Sequence, residues 1–122
     1  MIVQDVMSKQ VVTCSPNDYV NEVAEQMRSL DIGCLPVVSK KKLVGMITDR
    51  DIVTRAVAKD VKCKVENIMT KAVISVSPQE TTAEASILMG KHQVRRLPVV
   101  ENEELVGFVS LADLAFPFPH IQ

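Results

Sequence analysis

The chain has no tryptophan, one tyrosine and three phenylalanines, so aromatics are 3% of its 122 residues. Its core must be aliphatic, drawn from the Val, Ile, Leu, Met and Ala that dominate an apolar share of 47%. No apolar run approaches the roughly 18 residues that mark a membrane span. The N-terminus carries Asp5 and lacks a basic segment followed by an apolar one, which argues against a secretory leader. Net charge is only −1, so no field draws the chain to nucleic acid or an anionic membrane. Scarce aromatics disfavour nucleic acid further. Cys14, Cys34 and Cys63 are odd in number and form no C-x-x-C pair. They read as reduced thiols in a cytoplasmic protein. Metal-ligand spacing, a P-loop and a nucleophile–base pair are all missing, so the reading is no metal, no required cofactor and no enzyme.

What is present is a repeat. Residues 3–53 align with 65–115 at a constant offset of 62, and sixteen of the fifty-one pairs are identical, against roughly three expected from average usage. The boundaries read as repeat 1 over 1–58, a charged connection over 59–64, repeat 2 over 65–116 and a tail over 117–122. Each repeat alone is near the lower size limit for a stable core, so the two form one pair.

Each repeat reads strand, helix, strand, strand, helix. Val11 to Cys14 is short enough for a strand. Ser15-Pro16-Asn17-Asp18 then fits a helix start, with Ser15 as N-cap, Pro16 at the first helical position and Asp18 reaching back. Ser77-Pro78-Gln79-Glu80 duplicates it. Val20, Val23, Ala24, Met27 and Leu30 recur at helical spacing. Their counterparts Thr82, Ala85, Ser86, Met89 and His92 give a weaker face. Gly33 is placed to end the first helix. Leu35-Pro36-Val37-Val38 and Leu97-Pro98-Val99-Val100 read as strands, with each proline at a strand start or edge. Polar turns (Ser39 to Lys42, Glu101 to Glu104) lead into second strands at Leu43 to Ile47 and Leu105 to Val109. Second helices start at Thr48 and Ser110. The first runs through Ile52, Val53, Ala56 and Val57; Pro117 and Pro119 cut the second short.

The duplicated LPVV, G-M-I-T-D-R-D at 45–51, H-Q-V-R-R-L-P-V-V-E and G-F-V-S-L-A-D make the chain resemble a tandem pair of cystathionine-β-synthase (CBS) domains, a Bateman module. The likeness covers about residues 3 to 116, as in a stand-alone pair. It implies an α/β (strictly α+β) fold, with two repeats packed sheet to sheet about a pseudo-twofold axis and two clefts between them. It also implies an adenine ligand in those clefts (AMP, ADP or ATP, or S-adenosylmethionine or NAD) and a homodimer. The apolar stripe Val20, Val23 and Met27 is the expected dimer surface.

Thr48 and Asp51 open one helix, and Ser110 and Asp113 open the other. A helix start offers free N–H groups to a phosphate, the hydroxyl adds a bond, and the carboxylate can accept from ribose hydroxyls. The same spacings are also capping boxes that need no ligand. The resemblance implies that each cleft takes its ribose contact from one repeat and its adenine wall from the other. Val12, Thr13, Ile32, Cys34 and Pro36 would then wall the Asp113 cleft. Ile74, Ser75, Val94, Arg96 and Pro98 would wall the Asp51 cleft. Each wall residue also fits plain core packing. Arg95 and Arg96 replace Gly33 and Cys34, so the duplication is asymmetric, and arginine binds phosphate bidentately. A solvated pair, or salt bridges to Glu101, Glu103 or Glu104, is the other reading. His92 fits a helix rim, His120 the tail, and Lys40 to Lys42 a solvated turn. The function implied is a regulatory, adenine-nucleotide-sensing module acting on an effector protein. The competing reading is a protein-interaction scaffold with vestigial clefts.

Overall fold

The structure, a computed structural model, describes residues 1–59 and 62–116. In chain order its elements are α1 (Val3–Val6), α2 (Val20–Leu30), β1 (Cys34–Ser39), β2 (Lys42–Thr48) and α3 (Asp49–Asp51). A π-helical stretch, Ile52–Val57, continues α3, and a 3-10 turn follows at Val65–Asn67. Then come α4 (Thr82–His92), β3 (Arg96–Glu101), β4 (Glu104–Ser110) and α5 (Leu111–Ala115). Asp60 and Val61 of the connection, and Pro117, Pro119 and His120, lie outside the described residues. The fold is α+β, with strands and a long helix in each repeat.

The Leu-Pro-Val-Val runs are the centres of β1 and β3, paired antiparallel with β2 and β4. Lys40 and Lys41 have φ of 53° and 70°, and Asn102 and Glu103 have 53° and 69°. Two consecutive left-handed residues make the tight turn whose twist matches a hairpin. One register shift, between Val37 and Val38 and again between Val99 and Val100, leaves Val44 and Val106 as bulge residues. Pro36 costs the hairpin nothing. Its carbonyl accepts from the Cys14 amide at 3.0 Å, so its N–H-less nitrogen also faces away from β2. Pro98 repeats this with the Val76 amide at 3.1 Å.

Two corrections follow at the strand and helix starts. The stretch Val11 to Cys14 makes one parallel bridge, Cys14 to Val37, and no strand; Val76 to Val99 is its counterpart. The Ser-Pro turns are not helix caps. Ser15 and Asp18 do close a turn, with the Ser15 amide donating to Asp18 Oδ2 at 2.9 Å, but α2 starts only at Val20, after Tyr19. Other partners take the backbone groups that an earlier start would need. The Val20 amide donates to the Cys63 carbonyl at 2.9 Å, while the Val65 and Glu66 amides donate to the carbonyls of Asp18 and Pro16. In the second repeat the Val3 and Gln4 amides occupy the carbonyls of Glu80 and Pro78. There the cap is Thr81, boxed with Glu84.

Gly33 does not end α2 either. Asp31 takes the left-handed position at φ 54°, as Gln93 does after α4 at φ 58°. The Ile32 and Val94 amides then satisfy the carbonyls of Met27 and Met89 at 3.0 Å, which closes the helix ends.

These hydrogen bonds show that the leading segment of each repeat is built into the body of the other. The chain forms one unit from Val12–Val73 and another from Met1–Val11 with Ile74–Gln122. Val65 and Ile68 are buried with Val20, Leu35, Val37 and Ile47. Val3, Val6 and Met7 are buried with Met89, Leu97 and Val109. Full burial of one such leucine or valine stabilises by about 1.5–3 kcal/mol. Val20, Val23 and Met27 are at most 6% exposed and pack in the same core cluster as Leu35, Val37 and Ile47, so the expected dimer stripe is core and not surface. Leu30, Val53 and Val57 are the exposed apolar side chains of that unit's helices.

Candidate functional site

Each second strand of a hairpin ends in a hydroxyl residue that caps the following helix. The Thr48 amide donates to Asp51 Oδ2 at 3.0 Å, and the Asp51 amide donates to Thr48 Oγ1 at 3.0 Å. In the other unit the Ser110 amide donates to Asp113 Oδ2 at 2.8 Å, and the Asp113 amide donates to Ser110 Oγ at 3.1 Å. Both are complete capping boxes. Each holds its carboxylate in one rotamer and leaves acceptor capacity on it, since an ionised carboxylate offers about four lone-pair sites. Asp51 is only 9% exposed and Asp113 is half-buried.

The hairpin register sets what lies beside each box. Cys34 stands opposite Thr48, and Arg96 opposite Ser110. The Asp49 amide donates to the Gly33 carbonyl at 2.9 Å, and the Leu111 amide to that of Arg95 at 2.7 Å. Ile32, Gly33 and Cys34 are therefore tied to the first box, and Val94, Arg95 and Arg96 to the second. The Cys14 bridge carries Val12 and Thr13 alongside β1, and the Val76 bridge carries Ile74 and Ser75 alongside β3. Pro36 and Pro98 are buried; Ile32, Cys34, Ile74 and Val94 are half-buried; Val12, Thr13, Ser75, Arg95 and Arg96 are exposed. Within its own unit, the Thr48–Asp51 box thus shares one end of the hairpin with Val12, Thr13, Ile32, Cys34 and Pro36, and the Ser110–Asp113 box shares it with Ile74, Ser75, Val94, Arg96 and Pro98.

A cavity of about 300 Å³ beside the first box is lined by Ala24, Met27, Arg28, Ile32, Asp49 and Ile52, with Val53. Of these, sequence reasoning named only Ile32 as a site residue. Asp49, inside T-D-R-D, was the available signal. Arg55 was also missed, although it lies four residues after Asp51. Its Nε is 3.9 Å from Asp51 Oδ1, and its Nη1 donates to the Ile68 carbonyl at 3.2 Å.

A box of the same chemistry, at the same place, in two copies of one hairpin-and-helix pattern points to one family. Residues 3–58 and 65–117 each match the CBS domain model. The chain belongs to the CBS domain family. Its CBS repeats are 44% identical over 115 residues to the CBS domain-containing protein YhcV of Bacillus subtilis, covering 93% of this chain and 82% of that one. The CBS domain pair of protein MJ0100, in complex with 5′-methylthioadenosine and S-adenosyl-L-methionine, superposes with a TM-score of 0.83 at 34% identity. That match covers 96% of this chain and 94% of the other. Hypoxic Response Protein I with two coordinated zinc ions superposes with a TM-score of 0.87 at 31% identity, covering 97% and 99%.

Among the described residues of this CBS pair, no three His, Cys, Asp or Glu side chains gather closely enough to hold a metal ion. His92 is exposed. No described helix is long and apolar enough to cross a membrane. Cys14, Cys34 and Cys63 form no disulfide. Burial, and then the Asp18 carboxylate, push the Cys14 thiol up to about 12. The unfolded thiol ionises near 8.5, so from there upward the unfolded chain loses a proton that the folded one keeps. Stability falls as pH rises toward 12. Urea unfolding across that range should show a decline that Cys14→Ala reduces; an unchanged decline would locate the titration elsewhere.

Proposed function

We propose that this CBS pair is a regulatory, ligand-sensing module for adenine nucleosides and nucleotides of the AMP, ADP and ATP class, and not an enzyme. The observation that carries the reading is the duplicated box: a helix-capping Thr48 or Ser110 with Asp51 or Asp113 fixed three residues on. A rigid carboxylate suits the paired hydroxyls of a ribose. The half-buried aliphatic side chains Ile32 and Val94 suit an adenine face, because flat apolar contact with a few polar groups is how such pockets hold a ring. Arg95 and Arg96 flank the Ser110–Asp113 box and supply the charge for phosphate. The MJ0100 pair, with its two adenosyl ligands, supports the same ligand class here.

A thermal-shift panel of AMP, ADP, ATP, adenosine, NAD and S-adenosylmethionine tests it. Ligand at a hundredfold excess over its dissociation constant should add about 2.7 kcal/mol of stability. AMP should stabilise more than adenosine, and Arg95→Ala with Arg96→Ala should erase that difference. A panel without any shift would contradict ligand sensing and favour the scaffold reading. Equal losses for AMP and adenosine would make the arginines pocket walls.

A further inference from the structure

Asp51 is the one buried charged residue among those described, and it touches more than its own cap. Its Oδ2 is taken by the Thr48 amide. Its Oδ1 faces Arg55 Nε at 3.9 Å. The same guanidinium donates to the Ile68 carbonyl. Ile68 lies in the segment that pins itself to β2: the Thr70 amide donates to the Met46 carbonyl at 2.8 Å, and the Met46 amide donates back at 2.9 Å. Arg55 sits in the π-helical stretch that directly follows Asp51, and π-helical turns are rare and concentrate at functional sites. We propose that Arg55 is a positioning residue bridging the Asp51 carboxylate and the 65–70 segment, so that a ligand engaging Asp51 is felt by that segment. The proposal rests on the ligand reading above and adds the route by which occupancy becomes a signal.

The chemistry favours a bridge over a simple charge pair. Arginine presents several donors in a fixed fork, so Nη1 donates to the Ile68 carbonyl while Nε holds the same charge 3.9 Å from Asp51 Oδ1, as an ion pair and not a hydrogen bond; a lysine ammonium is a point charge on a flexible stem. A ribose hydroxyl bonded to Oδ1 weakens the attraction between that carboxylate and the Arg55 guanidinium, which then shifts against Ile68. In the sequence the residue matching Arg55 is Pro117, which has no guanidinium to offer. Ser8, which matches Thr70, is pinned in the same way, exchanging backbone hydrogen bonds with Phe108 at 2.8 and 2.9 Å. It is the internal control.

Amide hydrogen exchange on the whole chain tests this, with 5′-methylthioadenosine and AMP as probes. Without ligand, Arg55→Met and Arg55→Lys should each speed exchange at Thr70 about three- to tenfold, with Ser8 unchanged. If Arg55→Lys matched the wild type, charge alone would suffice and the bridge would be wrong. With a probe bound, wild-type Thr70 exchange should shift and that of Arg55→Met should not. Probe bound with wild-type Thr70 unmoved would overturn the coupling while leaving the ligand reading intact. No binding of either probe by the wild type would overturn the ligand reading and the sensing together.

Discussion

Ile68→Ala should destabilise the Val12–Val73 unit by about 2–5 kcal/mol and leave the other unit's amide protection at its wild-type level. By sequence Ile68 belongs to repeat 2, where it faces Val6 at the constant offset. In the structure it is 4% exposed and packed in the core of the first repeat's helix and hairpin. Truncating it leaves a cavity among aliphatic neighbours that cannot collapse freely, and the loss includes that cavity as well as the lost transfer energy. Val6→Ala should give the mirror result in the other unit, where Val6 is 1% exposed. Native-state hydrogen exchange reads the two hairpins separately. Loss of protection in β3 and β4 on Ile68→Ala, with β1 and β2 unchanged, would contradict the exchanged packing.

The second large effect is expected at Gly107. Both second strands carry a glycine where the other repeat's leading segment crosses. An added Cβ at Gly107 would lie 2.5 Å from Met7 Sδ and 3.0 Å from the Ser8 carbonyl oxygen. At Gly45 it would lie 2.7 Å from Met69 Sδ and 3.0 Å from the Thr70 oxygen. The bulk is similar, so the room to yield decides. Met7 is 5% exposed and walled by core, whereas Met69 is only half-buried and can swing outward. Gly107→Ala should therefore cost about 1–3 kcal/mol, typical of overpacking, and Gly45→Ala clearly less. Urea midpoints of the two variants check this. Equal losses would mean that the backbone oxygens, not the methionines, set the cost.

The hairpins and long helices were legible because their signals are local. Leu-Pro-Val-Val next to a polar turn names a strand and its end, and Val20, Val23 and Met27 name a buried helical face. The helix starts were misread because Ser15-Pro16-Asn17-Asp18 does form the local turn its residues favour, while its outer carbonyls are claimed by Val65 and Glu66, nearly fifty residues away. No local rule carries that information. The same distance hid the roles of α1 and the Val65–Asn67 turn, whose hydrogen-bond partners lie in the other repeat. Asp31 shows the limit of reading glycine as punctuation: the left-handed position fell two residues before Gly33. Of the site, the two boxes were legible because hydroxyl, carboxylate and spacing repeat. Arg55 was not, because its partner Ile68 offers a backbone carbonyl, and a carbonyl has no sequence signature.

Calorimetric titration of AMP into the wild type, Asp51→Asn, Asp113→Asn and the double variant tests the ligand reading most directly. Asparagine keeps the shape and can still cap, so folding is spared while the charged acceptor is lost. Each single variant should weaken binding by about 1.5–3 kcal/mol at its own box, and the double variant should bind AMP weakly or not at all. AMP affinity equal to wild type in the folded double variant would contradict the account and leave both boxes as helix caps alone.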